Sequence, residues 1–101
     1  MNTFTVPSGG TGLYAISARL GASAVPNSWQ IRIEQTSSDF STGLVIGESP
    51  NLIAAVDFSG WAVCPAFLLK DGEHIDINVA TVGVTINSGE LQIWRTALYP
   101  D

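Results

Sequence analysis

This chain of 101 residues is poor in the side chains that most reactions require: it has one cysteine, one histidine and four basic residues. With Cys64 alone, no internal disulfide can form and no Cys/His zinc spacing exists, so the thiol reads as a small apolar residue beside Pro65. Any Ser-His-Asp or Cys-His pair would have to use His74, which reads instead as a half-exposed residue on a wet strand face. Arg19, Arg32, Lys70 and Arg95 are scattered and the net charge is −5. That excludes the clustered cations of a phosphate-binding footprint, hence a nucleic-acid partner. No run approaches the roughly 18 apolar residues of a membrane helix. The opening MNTFTVPSGG also lacks the basic and apolar regions of a signal peptide. The expectation is a soluble protein with no membrane insertion and no secretion signal of its own.

Charge is scarce as well, at 13% of residues against 46% hydrophobic, and the mean hydropathy is +0.27. A single domain over residues 1–101 would bury only about 60–68% of its unfolded surface as a monomer. Association with further copies is the simplest way to hide the surplus apolar area.

What is present is a succession of short strand patterns. In Gly12–Leu20, Tyr14, Ile16, Ala18 and Leu20 alternate with Leu13, Ala15, Ser17 and Arg19, and both faces are mostly apolar. Trp29, Ile31 and Ile33 alternate with Gln30, Arg32 and Glu34, which predicts a strand with one wet face. Leu44–Ile46 and Leu52–Phe58 predict two more strands. Trp61–Leu69 is continuously apolar and reads as a buried strand, kinked or bulged at Pro65, with Trp29 and Trp61 in the core. Lys70-Asp71-Gly72 forms a tight turn, and Ile75, Ile77 and Val79 then alternate with His74, Asp76 and Asn78. After Val82, Val84 and Ile86, Asn87-Ser88-Gly89 reads as a turn and Leu91–Leu98 as the last strand. Gly21–Asn27 and Gln35–Thr42 read as loops. No window holds a helical period, and strands of this length and spacing predict an all-β antiparallel sandwich or jelly roll.

Three blocks carry a family resemblance. FTVP followed by GLYAISARL, then FLLKDGEHIDINV at Phe67–Val79, then GELQIWRTALYPD at the end resemble, in order and spacing, the trimeric jelly roll of complement globular-head and tumour necrosis factor-like domains. The family's first strands have no counterpart ahead of Phe4. Tailed bacteriophages use the same fold in head fibres, capsid decorations and tail tips, a setting that suits a chain without signal segment or cysteine pairs. The resemblance implies a homotrimer in which the strand starting at Gly-aliphatic-Tyr and the closing strand lie near the threefold axis. That assigns Tyr14, Ile16, Trp94 and Leu98 to the subunit interface. It implies a virion protein assembled in the host cytoplasm, contacting capsid or tail proteins and a host-surface glycan or protein.

For chemistry the residues offer little. Asp71, Glu73 and Asp76 are the densest acidic patch but lack the spaced Asp/Asn pattern of a calcium loop, so no metal site and no cofactor are assigned. No carboxylate pair stands out for glycoside hydrolysis, and no catalytic residue is assigned. Ser37, Ser38, Asp39 and Phe40 form the candidate partner-binding loop, because Phe40 is an aromatic on a polar tip. The reading from another functional class is a carbohydrate-binding β-sandwich module that uses exposed aromatics.

Overall fold

A computed structural model describes residues 3–24, 28–53, 58–79 and 83–98. These form β1 (Thr3–Thr5), β2 (Gly12–Ala24), β3 (Ser28–Trp29), β4 (Ile31–Thr36), β5 (Gly43–Glu48), β6 (Leu52–Ile53), β7 (Ser59–Leu69), β8 (His74–Val79) and β9 (Thr85–Leu98). Every pairing is antiparallel, and the described residues contain no helix. One sheet has the order β1-β8-β4-β5 and the other β7-β2-β9, with β3-β6 as a small separate pair. The pairs β4·β5, β3·β6, β2·β7 and β1·β8 are nested one inside the next along the chain. Only β9 stands outside that nest, added to the free side of β2.

Alternation builds the core. Tyr14, Ile16, Ala18, Leu20 and Ala22 from β2 and Ala62, Cys64 and Leu69 from β7 meet Ile31, Ile33, Ile75 and Ile77 from the facing sheet. Trp29 and Leu52 extend the same cluster from the β3-β6 pair. Tyr14 also donates its hydroxyl hydrogen to the Gly10 carbonyl, so its polar tip is satisfied inside the core.

The two sheets meet closely on one side only. At β5, a Cβ on Gly47 would lie 2.8 Å from the Val63 carbonyl oxygen of β7, so the absence of a side chain lets the sheets touch. On the other side β1 and β9 stay apart, leaving a cleft of ≈ 320 Å³ lined by Thr3, Phe4, Leu91 and Ile93.

Several expectations need correction. β2 continues past Leu20 to Ala24, and β9 runs straight through Asn87-Ser88-Gly89, where a turn was predicted. The two segments satisfy each other: Gly21 lies opposite Ser88 and Leu20 opposite Gly89, with bulges nearby that absorb the turn-prone residues. Gly21 has no room for a Cβ, which would fall 2.4 Å from Ser88 Oγ. The Lys70-Asp71-Gly72 turn has its positive φ at Gly72, yet it joins the two sheets instead of closing a hairpin. The bulge expected at Pro65 is present, between the pairs Tyr14/Phe67 and Ile16/Cys64. Of the Leu52–Phe58 strand only Leu52–Ile53 is observed; residues 54–57, like Val82, lie outside the described residues.

Candidate functional site

Trp61, placed in the core by its apolar surroundings, is 66% exposed. The reason is steric: a Cβ on Gly60 would lie 2.2 Å from Leu52 Cδ1 of β6 and 3.2 Å from Ile31 Cδ1 of the facing sheet, so the small residues Gly60, Ala62 and Cys64 take the inward positions at this end of β7. The alternate set on β7, Trp61, Val63 and Leu68, therefore turns outward. On β9 the same alternation turns out Trp94, which is 52% exposed.

Register assembles these side chains into one surface. Trp61, Arg19 and Glu90 lie in a row across the sheet; Val63, Ser17 and Gln92 form the next parallel row; Ala15 pairs Trp94, and Leu13 pairs Leu68. The two indoles are offset by four residues of β2, about 13 Å along the strand. Between them the floor is made of Ala15 and Ser17. This outer face of the three-stranded sheet is uncovered and carries Trp61, Val63, Leu68 and Trp94 beside the polar Arg19, Glu90 and Gln92. The outer face of the other sheet carries Thr3, Arg32, Glu34, Glu48, Asp76 and Asn78, with an Arg32–Glu48 ion pair at 2.9 Å.

Tyr14 and Ile16 do not contribute to the open face. Both are buried within the single chain, because β2 gives its larger alternate set to the sandwich core. A second copy meeting this strand would touch Leu13, Ala15 and Ser17 instead. Trp94 is on the open face, and Leu98 closes β9 opposite Gly12.

A second candidate region is the end of the sandwich where three connections meet. The turn after β1 is held by Asp71: Gly9 N–H donates to Oδ2 at 2.8 Å, while Thr11 N–H and the Thr11 hydroxyl donate to Oδ1 at 3.0 and 2.8 Å. The Gly9 amide and then the Thr11 hydroxyl hold the Asp71 carboxyl below the usual carboxylate range. Gly72 N–H donates to the Val6 carbonyl, and a Cβ on Gly72 would meet Ser38 Cβ at 3.1 Å. The loop between β4 and β5 thus packs on the turn between β7 and β8.

That loop is well ordered by its own bonds. Ser37 Oγ accepts from the Ser41 and Thr42 amides, and Asp39 Oδ1 accepts from the Ser37 hydroxyl and the Ser41 amide. Hydrogen bonds from Ser41, hydroxyl first and then amide, and from Ser37 lower the Asp39 carboxyl to about 2. Phe40 sits at φ 61°, a left-handed conformation that costs a non-glycine residue roughly 1–2 kcal/mol. Its ring lies flat on the His74 imidazole, with centroids 4.0 Å apart and planes 5° from parallel. Phe40 nonetheless keeps 62% of its surface exposed.

His74 is accordingly buried, contrary to the half-exposed position expected of it. It lies between Thr5 of β1 and Thr36 of β4, with Nδ1 2.8 Å from the Thr5 hydroxyl and Nε2 3.2 Å from the Ser38 carbonyl oxygen. A carbonyl can only accept, so Nε2 carries the proton. Next to it, Thr36 Oγ1 is buried and unpartnered among the described residues.

Glu73 accepts from the Lys70 amide, Asp76 from the Thr3 hydroxyl and Asp71 from the Gly9–Thr11 turn, so the acidic patch is divided among separate structural bonds. No cluster of three His, Cys, Asp or Glu among the described residues could hold a metal ion. Cys64 is buried, and that burial raises its thiol above the ordinary value. No family model, curated protein or solved structure matches this chain. Geometry therefore carries the functional argument.

Sequence reasoning missed Trp61, Val63 and Leu68 as surface, and missed the contact between Phe40 and His74. For the first a signal existed: the alternation of Gly60, Ala62 and Cys64 with larger residues marks which side of β7 has no space. The second joins positions 34 residues apart and leaves no local pattern.

Proposed function

We propose that this chain is a non-catalytic subunit of a homotrimer, a jelly-roll sandwich that forms part of a bacteriophage virion as a capsid decoration, head fibre or tail-tip module. The observation that carries the assembly is the uncovered apolar face formed by Trp61, Val63, Leu68, Trp94, Leu13 and Ala15. Burying each indole would remove on the order of 100 Å² of apolar surface, about 2–3 kcal/mol per side chain. Faces of this kind mark association sites, since single soluble chains seldom leave them open.

The nested pairs β4·β5, β3·β6, β2·β7 and β1·β8 support the jelly-roll reading, because a jelly roll is a long hairpin rolled into two facing sheets. The threefold order comes from the resemblance, whose axial strands correspond to β2 and β9. Both belong to the sheet that bears the apolar face. The polar sheet and the Ser37–Phe40 tip then face outward, toward capsid or tail proteins or a host-surface glycan or protein. Three tips on one particle gain avidity even when each binds weakly.

Sedimentation equilibrium at micromolar concentration tests this. The expected species has a mass of about 32 kDa, three times 10.7 kDa. A folded monomer at tens of micromolar would sink the proposal.

One observation favours a second reading, a carbohydrate-binding module. Both exposed indoles share their face with Arg19, Gln92 and Glu90, which could hydrogen-bond sugar hydroxyls while the rings stack on them. Trp61→Ala and Trp94→Ala separate the two. The trimer reading expects weakened assembly; the glycan reading expects an unchanged monomer that no longer binds immobilised polysaccharide.

A further inference from the structure

Counted from the closed side, where β5 meets β7, the two sheets do not end together. One has four strands and the other three, so β1 has no strand opposite it among the described residues. The cleft between β1 and β9 lies at that place. Its walls are apolar: the Phe4 ring leans toward Tyr14 with centroids 6.1 Å apart, and Leu91 and Ile93 are partly buried against the core.

The edge beside the cleft is open for pairing. β9 runs for 14 residues, pairs with β2 on one side only, and contains neither proline nor lysine. The other sheet edges are guarded. β1 is three residues long, β7 carries Pro65, which has no N–H, and β5 is short and closed against β7 at Gly47. β9 thus presents a row of backbone N–H and C=O groups along an apolar cleft, the two parts of a strand-binding site. A strand laid there would send alternate side chains into the cleft about 7 Å apart, in step with Leu91 and Ile93.

Two features select the occupant. A second sandwich cannot bring its own edge strand to β9, because its other layer would collide with β1, which walls the cleft from the facing sheet. A lone extended segment carries no such layer. Arg95 pairs Tyr14, which places it on the core-facing side of β9, two residues beyond Ile93, and it has no ion pair among the described residues. A carboxylate on the incoming strand, two residues before its first cleft-filling aliphatic, complements it.

We propose that the free edge of β9 accepts an extended polypeptide arm donated by another protein, aliphatic at alternate positions and acidic at its leading end, as the fourth strand of the smaller sheet. The arm runs antiparallel to β9, like every other pairing in the molecule. It uses the edge of the sheet, whereas the proposed trimer uses the outer face, so either reading can fail alone.

NMR titration of the full chain with the blocked peptide Asp-Thr-Val-Thr-Val-Thr-Val tests this. At about 1 mM peptide, signals of Thr3, Phe4, Leu91 and Ile93 should shift while the Trp61 indole stays in place. Exchange protection of the β9 amides that face away from β2 should rise on the order of tenfold. The same peptide N-methylated at the amides that face β9 keeps its side chains and should not bind. Arg95→Gln, and Asn for Asp in the peptide, should each weaken binding about threefold, and together no more than either alone. Absence of shifts at the cleft would overturn the proposal, as would equal binding of the N-methylated peptide or shifts centred on Trp61. So would β9 edge amides that are already protected in the free chain in proportion to its concentration, since the occupant would then be a second copy.

Discussion

The two outer faces of this sandwich were built by the same rule and came out opposite. On the β1-β8-β4-β5 sheet, alternation sends isoleucines inward and Thr3, Glu34, Asp76 and Asn78 outward, so that face is finished by water. On the β7-β2-β9 sheet, it sends Tyr14, Ile16 and small residues inward and leaves two tryptophans outside. Burial by period 2 thus decides which residues share a face but not whether that face meets solvent. The polarity of the alternate set decides that: one outer face is mainly charged and polar, and the other carries two exposed indoles.

The strongest way to break the contrast is to charge the apolar face. For the proposed trimer, Trp94→Asp together with Val63→Asp should reduce self-association at least a hundredfold, since carboxylates would be desolvated at the proposed interface. Asp76→Ala on the polar face should leave the sedimenting mass unchanged. An equal loss from both variants would mean that the faces do not differ in role.

Next in size is the contrast between the closed and the open side of the sandwich. Gly47→Ala forces a methyl against the Val63 carbonyl and should cost about 1–3 kcal/mol in urea unfolding. Ala62→Gly tests the same closed side from β7. Leu91→Ala, at the open cleft, should cost less than a core leucine, about 1–2 kcal/mol. A larger loss at Leu91 than at Gly47 would indicate that the cleft is filled.

Acid should act selectively on the loop end. Asp39 and Asp71 have folded-state carboxyls depressed below their unfolded values. Their contribution is therefore complete above about pH 4, and for Asp39 it is lost as pH falls from there toward about 2. Circular dichroism of Asp71→Asn should show a lower melting temperature at pH 7 and a flatter response to acid than the native chain. If the acid response is unchanged, the carboxyl is not what holds the Gly9–Thr11 turn. The smallest effect is expected at Thr36→Val, which replaces an unpartnered hydroxyl with a methyl. Stability should stay the same or rise by up to about 1 kcal/mol, because no hydrogen bond is lost.

Local pattern made much of this fold legible. Tyr14, Ile16, Ala18 and Leu20, then Ile31 and Ile33, then Ile75 and Ile77, are all in the core that their alternation predicts. Legibility ended where a residue's fate depends on a distant partner. Asn87-Ser88-Gly89 carries turn residues, yet it lies in a strand because Leu20-Gly21-Ala22 pairs with it. Trp61 looks internal until Leu52, on a different strand, is seen to occupy the space beside Gly60. Tyr14 and Ile16, expected at a subunit interface, lie on the inner face of the central strand of their sheet. The contact of the Ser37–Phe40 loop with His74 is visible only once β4 and β8 are paired.

The nested pairing has a further consequence, for the order of folding. The six-residue connection between β4 and β5 closes at the smallest entropic cost, and each enclosing pair then closes a loop already shortened by the one inside it. We expect structure to zip outward from the β4·β5 hairpin through β2·β7 to β1·β8, with β9 free to join late on the far side of β2. Mutations at Ile33 should then slow folding, whereas mutations at Ile93 should mainly speed unfolding. The side of the sandwich that gapes in the finished molecule is thus the side where the chain is last to arrive.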